Sequence, residues 1–290
     1  MSNWRDTAPD WAVAAIDSPW QARFGDSDGT RIHYRVRGTE DAPGIVLCHG
    51  NAAHSGWWDF IAPALAETHR VAAMDFAGMG DSEERRQVTA ESFVGDIAAV
   101  IADTGFTSPP LLIGHSFGGG MAMRLAVERS ELIRAVVLID SPVYPPDNDR
   151  PRPPRVAKRN YPSREIALQR FRLIPEQPVV SQWAVDYIAE TGIMEEKRGW
   201  TWKARANIFG HPAFGPHFWE EQVGFWPRID IPVTKIWGVN SALCTPETMA
   251  FMREIAPPQT RFIEMADAWH HLLLDRPQET IRLLKEVAAT

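Results

Sequence analysis

The sequence predicts an α/β protein built on a mostly parallel sheet, and three observations carry that prediction. Apolar runs at 44–48, 70–74 and 135–139 show no polar alternation, as expected of strands covered on both faces by helices. Between them lie segments with apolar residues at helical spacing, among them 91–102 with Phe93, Ile97 and Val100 on one face, and strands alternating with helices imply right-handed crossovers. The third observation is Gly114-His115-Ser116-Phe117-Gly118, a G-x-S-x-G pentapeptide between the apolar run 111–113 and the helical spacing of Met121, Ala122, Leu125 and Ala126. This is the pattern of a nucleophile elbow. Glycines two residues either side remove side chains that would clash with a strained serine, whose hydroxyl then projects from the strand end toward a helix N-terminus.

The chain in order supports the same reading. Residues 23–37 form a predicted hairpin turning at Asp28-Gly29, and the strand 44–48 runs into His49-Gly50-Asn51. The Asn51 and Phe117 amides are the candidate donors to an oxyanion; His49-Gly50 as a plain turn with Asn51 as an Asx cap is the alternative. A helix over 55–66 and the strand 70–74 follow, then the loop Asp75-x-x-Gly78-x-Gly80-x-Ser82, whose side chains suit bonding to nearby amides. The run 135–139 ends at Asp140. Asn51, Ser116 and Asp140 thus all fall at the carboxyl ends of strands, where open α/β sheets bind ligands.

Composition then changes. Residues 142–162 are proline-rich and carry Arg150, Arg152, Arg155, Lys158 and Arg159, the pattern of an exposed hinge. From 163 to 228 the pattern is irregularly helical with Trp183, Trp200, Trp202, Trp219 and Trp226, which reads as an inserted helical cap. The predicted division is a core of 1–141 and 229–290 with the cap at 142–228. The sheet resumes at 232–238, a helix spans 247–255, a strand 260–265, and a last helix 277–287 begins with Pro277. His270, in the loop after the last strand, can reach Ser116 as general base and then acid. Two adjacent side chains are not expected to point into one site, so His271 is assigned to structure.

The remaining composition bounds the partners. A chain of 290 residues, 44% hydrophobic and 23% charged, buries a large core, and its net charge of -7 argues against a general nucleic-acid binder. A small molecule is the expected partner, with no nucleic acid or membrane, acting on a monomer or homodimer. Residues 1–24 lack the apolar core of a signal peptide, no run is long enough to span a membrane, and Cys48 and Cys244 are the only cysteines. These features predict a cytoplasmic protein without a disulfide framework or a metal-ligand cluster, with Cys48 simply packed in its strand.

Taken together, His49-Gly50, the Asp75-to-Ser82 loop, the elbow around Ser116, and His270 seven residues before Pro277 resemble the α/β-hydrolase fold, specifically its capped bacterial serine hydrolases, over residues 23 to 290. The resemblance implies an eight-stranded mostly parallel sheet, a cap between the sixth and seventh strands, no cofactor, and a covalent acyl-enzyme route with Ser116 as nucleophile, His270 as base and acid, and the Asn51 and Phe117 amides as oxyanion hole. Serine at the nucleophile position argues against the haloalkane dehalogenase and epoxide hydrolase branches, which use aspartate there. One element departs from the family pattern. The turn after the seventh strand, Gly238-Val-Asn-Ser-Ala-Leu243, holds no carboxylate, so the triad acid is assigned to Asp140, with Asp267, or no acid at all, as the alternatives. Asp140 as a cap bonded to Ser141 or a loop amide is the structural alternative.

The implied activity is hydrolysis of a carboxylic ester or lactone. Hydrolysis of a carbon-carbon bond in a β-diketone or ring-fission product uses the same triad, and the fold also serves ligand-binding receptors of slow turnover. His115, Trp183 and Trp219 are the candidate substrate-pocket residues.

Overall fold

The computed structural model describes residues 3–146, 159–204, 211 and 214–290. Its strands in chain order are β1 (Gln21–Ser27), β2 (Thr30–Arg37), β3 (Gly44–Cys48), β4 (Arg70–Met74), β5 (Leu111–His115), β6 (Ala135–Ile139), β7 (Ile193–Glu196), β8 (Gly199–Trp202), β9 (Val233–Gly238) and β10 (Thr260–Met265). All but β7 and β8 join one eight-stranded sheet of order β1-β2-β4-β3-β5-β6-β9-β10. The pairings from β4 through β10 are parallel, and those of β2 with β1 and β4 are antiparallel. This is the α/β-hydrolase fold. β3 has β4 on one side and β5 on the other, so the crossovers reverse direction there and open a crevice between the ends of β3 and β5. The segment after β3 and the elbow after β5 both enter that crevice.

The absence of alternation in the central strands follows from helices on both faces. Val46, Ala72, Leu112 and Val136 pack with α3 (Ala90–Thr104), α4 (Phe117–Glu128) and α8 (Pro246–Glu254), while their neighbours Ile45, Val71, Leu111 and Val137 pack on the other face. That second face is covered by α1 (Asp10–Asp17), α2 (Ala62–Leu65), α9 (Leu272–Asp275) and α10 (Pro277–Ala288). Cys48 is fully buried in β3, where burial pushes its thiol pKa up.

Three local expectations are corrected. Instead of a helix over 55–66 there is a 3-10 turn at Ser55–Trp58, then the single turn α2, because Pro63 has no N–H to donate and its ring would clash with the carbonyl four residues earlier. The segment between β6 and β9 holds α5 (Arg164–Leu168), α6 (Gln182–Thr191) and α7 (Pro216–Phe225), but also the β7/β8 hairpin, whose Trp200 and Trp202 pack with Phe171 beside Ala167 and Leu168. Finally, Val143 and Tyr144 are buried, with Val143 N donating to Met252 Sδ at 3.4 Å, so the start of the expected exposed hinge is packed. Arg150, Arg152, Arg155 and Lys158 lie outside the described residues.

The Asp75 loop is structural, as its side chains suggest. The buried Asp75 carboxylate accepts from Ser55 N at 2.5 Å and Asp81 N at 3.0 Å and lies 2.7 Å from His33 Nδ1. A Cβ at Gly80, whose φ is +54°, would stand 2.2 Å from that carboxyl carbon, so glycine is required. Burial pushes the Asp75 pKa up, yet the His33 hydrogen bond and the neighbouring amides outweigh it and hold the carboxyl below the ordinary range. A depressed acid pKa stabilises the fold above the unfolded value near 3.8, and that contribution fades as pH falls toward the folded value. Asp75→Asn is therefore expected to lower stability at pH 7 by about 3 kcal/mol or more. Denaturant melts at pH 7 and below pH 4 should show the gap between parent and variant narrowing in acid.

Candidate active site

Ser116 occupies the turn between β5 and α4 with φ 53° and ψ -117°, a backbone region costly for a side-chain-bearing residue, by about 1–3 kcal/mol. The packing around it enforces the turn. A Cβ on Gly114 would lie 2.4 Å from the Gly118 carbonyl oxygen, and one on Gly118 would lie 2.5 Å from that of His49, so neither glycine can carry a side chain. The Ser116 amide donates to Ile139 O at 2.8 Å, tying the elbow to the end of β6, and Ser141 Oγ donates back to Ser116 O at 2.9 Å.

The loop after β3 lies against this elbow. A Cβ on Gly50 would be 3.4 Å from Ser116 Cβ and 3.0 Å from His115 Nδ1. His49 Nε2 accepts from Phe76 N at 3.2 Å, so its Nδ1 carries the proton and donates to Gly50 O at 2.7 Å, fixing the loop. Asn51 follows at once, and Phe117 opens α4, where a first-turn amide has no intrahelical acceptor. Asn51 Oδ1 is buried without a hydrogen-bond partner.

The structure brings His270 and Asp140 together: His270 Nδ1 lies 2.8 Å from Asp140 Oδ1, both side chains being buried. Asp140 itself is held at φ 44° at the end of β6. Its carboxylate accepts two further hydrogen bonds, from Ser241 Oγ to Oδ1 at 2.6 Å and from Gly238 N to Oδ2 at 3.0 Å. Ser241 Oγ in turn accepts from the amides of Leu243 and Cys244, each at 3.1 Å. The turn that lacks an acid thus supplies donors to the acid one strand away. Burial raises the Asp140 pKa, but the His270 hydrogen bond, the Lys235 ammonium and Ser241 overcome it, and the carboxyl titrates below the usual range. Asp267 is elsewhere: it is exposed and paired with Arg276 at 2.8 Å.

Several residues at the site escaped sequence reasoning. Lys235, fully buried in β9, donates to Ser141 O at 2.7 Å and sits 3.4 Å from Cys244 Sγ, bracing the chain on both sides of the acid. A lysine inside an otherwise apolar strand was the visible signal. Gln177 accepts from His271 N at 2.9 Å and donates to Asp275 at 2.8 Å, while Asp275 also accepts from Trp269 N, clipping the histidine loop in place. Burial raises the Asp275 pKa to about 6. His271 is not turned away: its ring centroid is 4.7 Å from that of His270 and 5.8 Å from that of His115.

The three pocket candidates separate. His115 is buried beside the pair, its Nε2 3.0 Å from His270 O, and burial lowers its pKa to about 3. Trp183 packs edge-on against Trp11 and Phe60, between α6 and the N-terminal helix, which assigns it to packing. Trp219 meets Tyr144 and Phe218, and Phe218 leads through Phe214 to Phe117.

A strained serine at a strand-to-helix turn thus lies against a glycine loop, with a buried His–Asp pair in the loops that follow β6 and β10, on an α/β-hydrolase fold. The chain belongs to the alpha/beta hydrolase family, whose model matches residues 45–283. It is similar to Haloalkane dehalogenase 2 of Mycobacterium tuberculosis, 28% identical over 269 residues that cover 89% of this chain and 92% of the relative. Among solved structures it resembles an E-2-(acetamidomethylene)succinate hydrolase, at 18% identity and a TM-score of 0.79 over 94% of this chain and 100% of the other. A carboxylesterase of Bacillus subtilis matches at 17% identity and a TM-score of 0.67 over 97% and 96%.

Removing the Ser241 hydroxyl takes away a hydrogen bond to a charged group, worth about 1.5–3 kcal/mol. Ser241→Ala is expected to slow phosphonylation of Ser116 by a fluorophosphonate about tenfold or more, and Asp140→Asn by about 10⁴, as stopped-time labelling would measure.

Proposed function

We propose that this chain is a serine hydrolase that cleaves a carboxylic ester or lactone through an acyl-enzyme. The observation that carries the reading is the strained Ser116 elbow together with the buried His270–Asp140 hydrogen bond. His270 carries its Nδ1 proton toward Asp140, which leaves Nε2 with the lone pair needed to take the Ser116 proton. Ser116 Oγ then attacks the acyl carbonyl, and the Asn51 and Phe117 amides receive the negative charge that develops on its oxygen. His270 returns the proton to the departing alkoxide. Water, deprotonated by the same imidazole, attacks the acyl-enzyme and releases the carboxylic acid. The described parts of the segment between β6 and β9 are read as the cap, within which Trp219, Phe218 and Phe214 lead to Phe117.

Chemistry also argues for an acyl substrate. Dehalogenation or epoxide opening by Ser116 would leave an alkyl ether, which has no carbonyl carbon for water to attack, so that enzyme would stop after one event. An ester of Ser116 has that carbon.

The test is turnover of a short p-nitrophenyl ester with active sites counted by a fluorophosphonate. The parent is expected to label at one serine and turn over repeatedly, while Ser116→Ala neither labels nor exceeds about 10⁻⁶ of the parent rate. Labelling without repeated turnover would instead mark a binding protein on this fold. Failure of the folded parent to label would remove the serine-hydrolase reading.

A further inference from the structure

We propose that His115, His270 and His271 form a transition-metal site, selective for imidazole-seeking divalent ions such as Zn²⁺, at which the bound ion blocks the reaction centre. The three imidazoles are buried side by side, with ring centroids 4.7 to 5.8 Å apart. One nitrogen from each lies within 4.8 Å of one from each of the others. Zn–N bonds of about 2.0–2.1 Å in a tetrahedral site place nitrogens about 3.3 Å apart, so small side-chain rotations close the set.

The hydrogen bonds around these rings decide what they present. His270 directs Nδ1 to the Asp140 carboxylate, and His115 directs Nε2 to a backbone carbonyl, that of His270. A carbonyl accepts only, so the His115 proton is on Nε2 and its Nδ1 is a bare lone pair; the same logic leaves the lone pair of His270 on Nε2. A ring N–H tied to a carboxylate or carbonyl, with the opposite nitrogen open, is the arrangement that orients histidines as metal ligands. His115 Nδ1 is buried without a hydrogen-bond partner, and the backbone of Ile174 is the polar group against the His271 ring, which leaves at least one of its nitrogens open. Asn51 Oδ1, another buried unpartnered acceptor, stands in the adjoining loop. Each ring thus keeps an unprotonated nitrogen, whereas an anion site would offer donors.

The contrast with His33, Asp75 and Asp81 is instructive. There the Asp75 oxygens are occupied by Ser55 N, Asp81 N and His33, so that cluster holds itself together. In the histidine trio His115 Nε2 bonds to His270 O, yet the opposite nitrogen of each of those two rings stays open.

An ion on His270 Nε2 occupies the lone pair that would deprotonate Ser116, so turnover stops until the ion leaves. This consequence rests on the catalytic reading above, while the binding does not. Calorimetric titration of the full chain with zinc chloride is expected to give a site that His271→Gln weakens at least about tenfold. His217→Ala, which removes the exposed histidine beside Glu220 and Glu221, should leave that site in place. Imidazole proton resonances of the parent need no variant: one equivalent of Zn²⁺ should move those of His115, His270 and His271. Zinc binding unchanged by His271→Gln in a folded variant, or resonance shifts confined to His211 and His217, overturns the site. Ester turnover that persists with these three resonances shifted overturns the blocking of the reaction centre. Should the parent lack ester turnover altogether, the titration and the resonances still decide the site.

Discussion

The Asp140 carboxylate is the group on which the site depends. It is buried, where an unpaired charge would be very costly, and it is kept charged by three hydrogen bonds from two separate pieces of chain: the His270 ring, and the Ser241 hydroxyl and Gly238 amide of the turn after β9. Those contacts lock together the ends of β6 and β9 and the loop after β10. Lys235 adds its charge from below and holds Ser141, and Ser141 holds the Ser116 carbonyl. The acid, its donors and the elbow therefore form one connected polar network inside an apolar sheet. Such networks are rigid when every member is satisfied, and this one fixes the His270 ring and the elbow relative to the sheet.

Sheet topology does the rest. Because strand order reverses between β3 and β5, the glycine loop after one and the elbow after the other face each other across a single crevice. Gly114 and Gly118 let the elbow turn within van der Waals reach of β3, and the strain left in Ser116 is sustained by the surrounding sheet. The N-terminal segment has a different task. Trp4 packs edge-on to Tyr187 at 5.0 Å, and Trp11 to Trp183 at 5.9 Å, joining residues before the sheet to helix α6. Buried Asp59, paired with Arg35 at 2.6 Å and bonded to Tyr187, fastens the same helix to the core.

Much of this was legible in the residues, and the exceptions have physical causes. Strands 44–48, 70–74 and 135–139 are read with their observed bounds because doubly covered strands are almost uniformly apolar between turn residues, and the mixed edge strand 260–265 is read with its observed bounds as well. The helix expected at 55–66 failed on Pro63, and the β7/β8 hairpin was hidden because large aromatics satisfy helix and strand patterns alike in a short segment. At the site, Ser116, His270 and Asp140 could be nominated from motif spacing and strand ends. What spacing could not give was the reversal of roles in the turn after β9, where Ser241 and Gly238 donate to an acid placed a strand away. Nor could it show that His271 faces its neighbours or that Trp183 is held by Trp11, since both depend on contacts between distant parts of the chain.

The central claim is that Ser116, His270 and the two amides act on one carbonyl, with Asp140 fixing the imidazole. A crystal structure of the chain after reaction with a fluorophosphonate tests it most directly, since the adduct mimics the tetrahedral intermediate. The account predicts phosphorus bonded to Ser116 Oγ, a phosphonyl oxygen about 2.7–3.1 Å from the Asn51 and Phe117 amides, and His270 Nδ1 still on Asp140. An adduct whose oxygen points away from both amides, or a His270 ring that has left Asp140 for another partner, would contradict it.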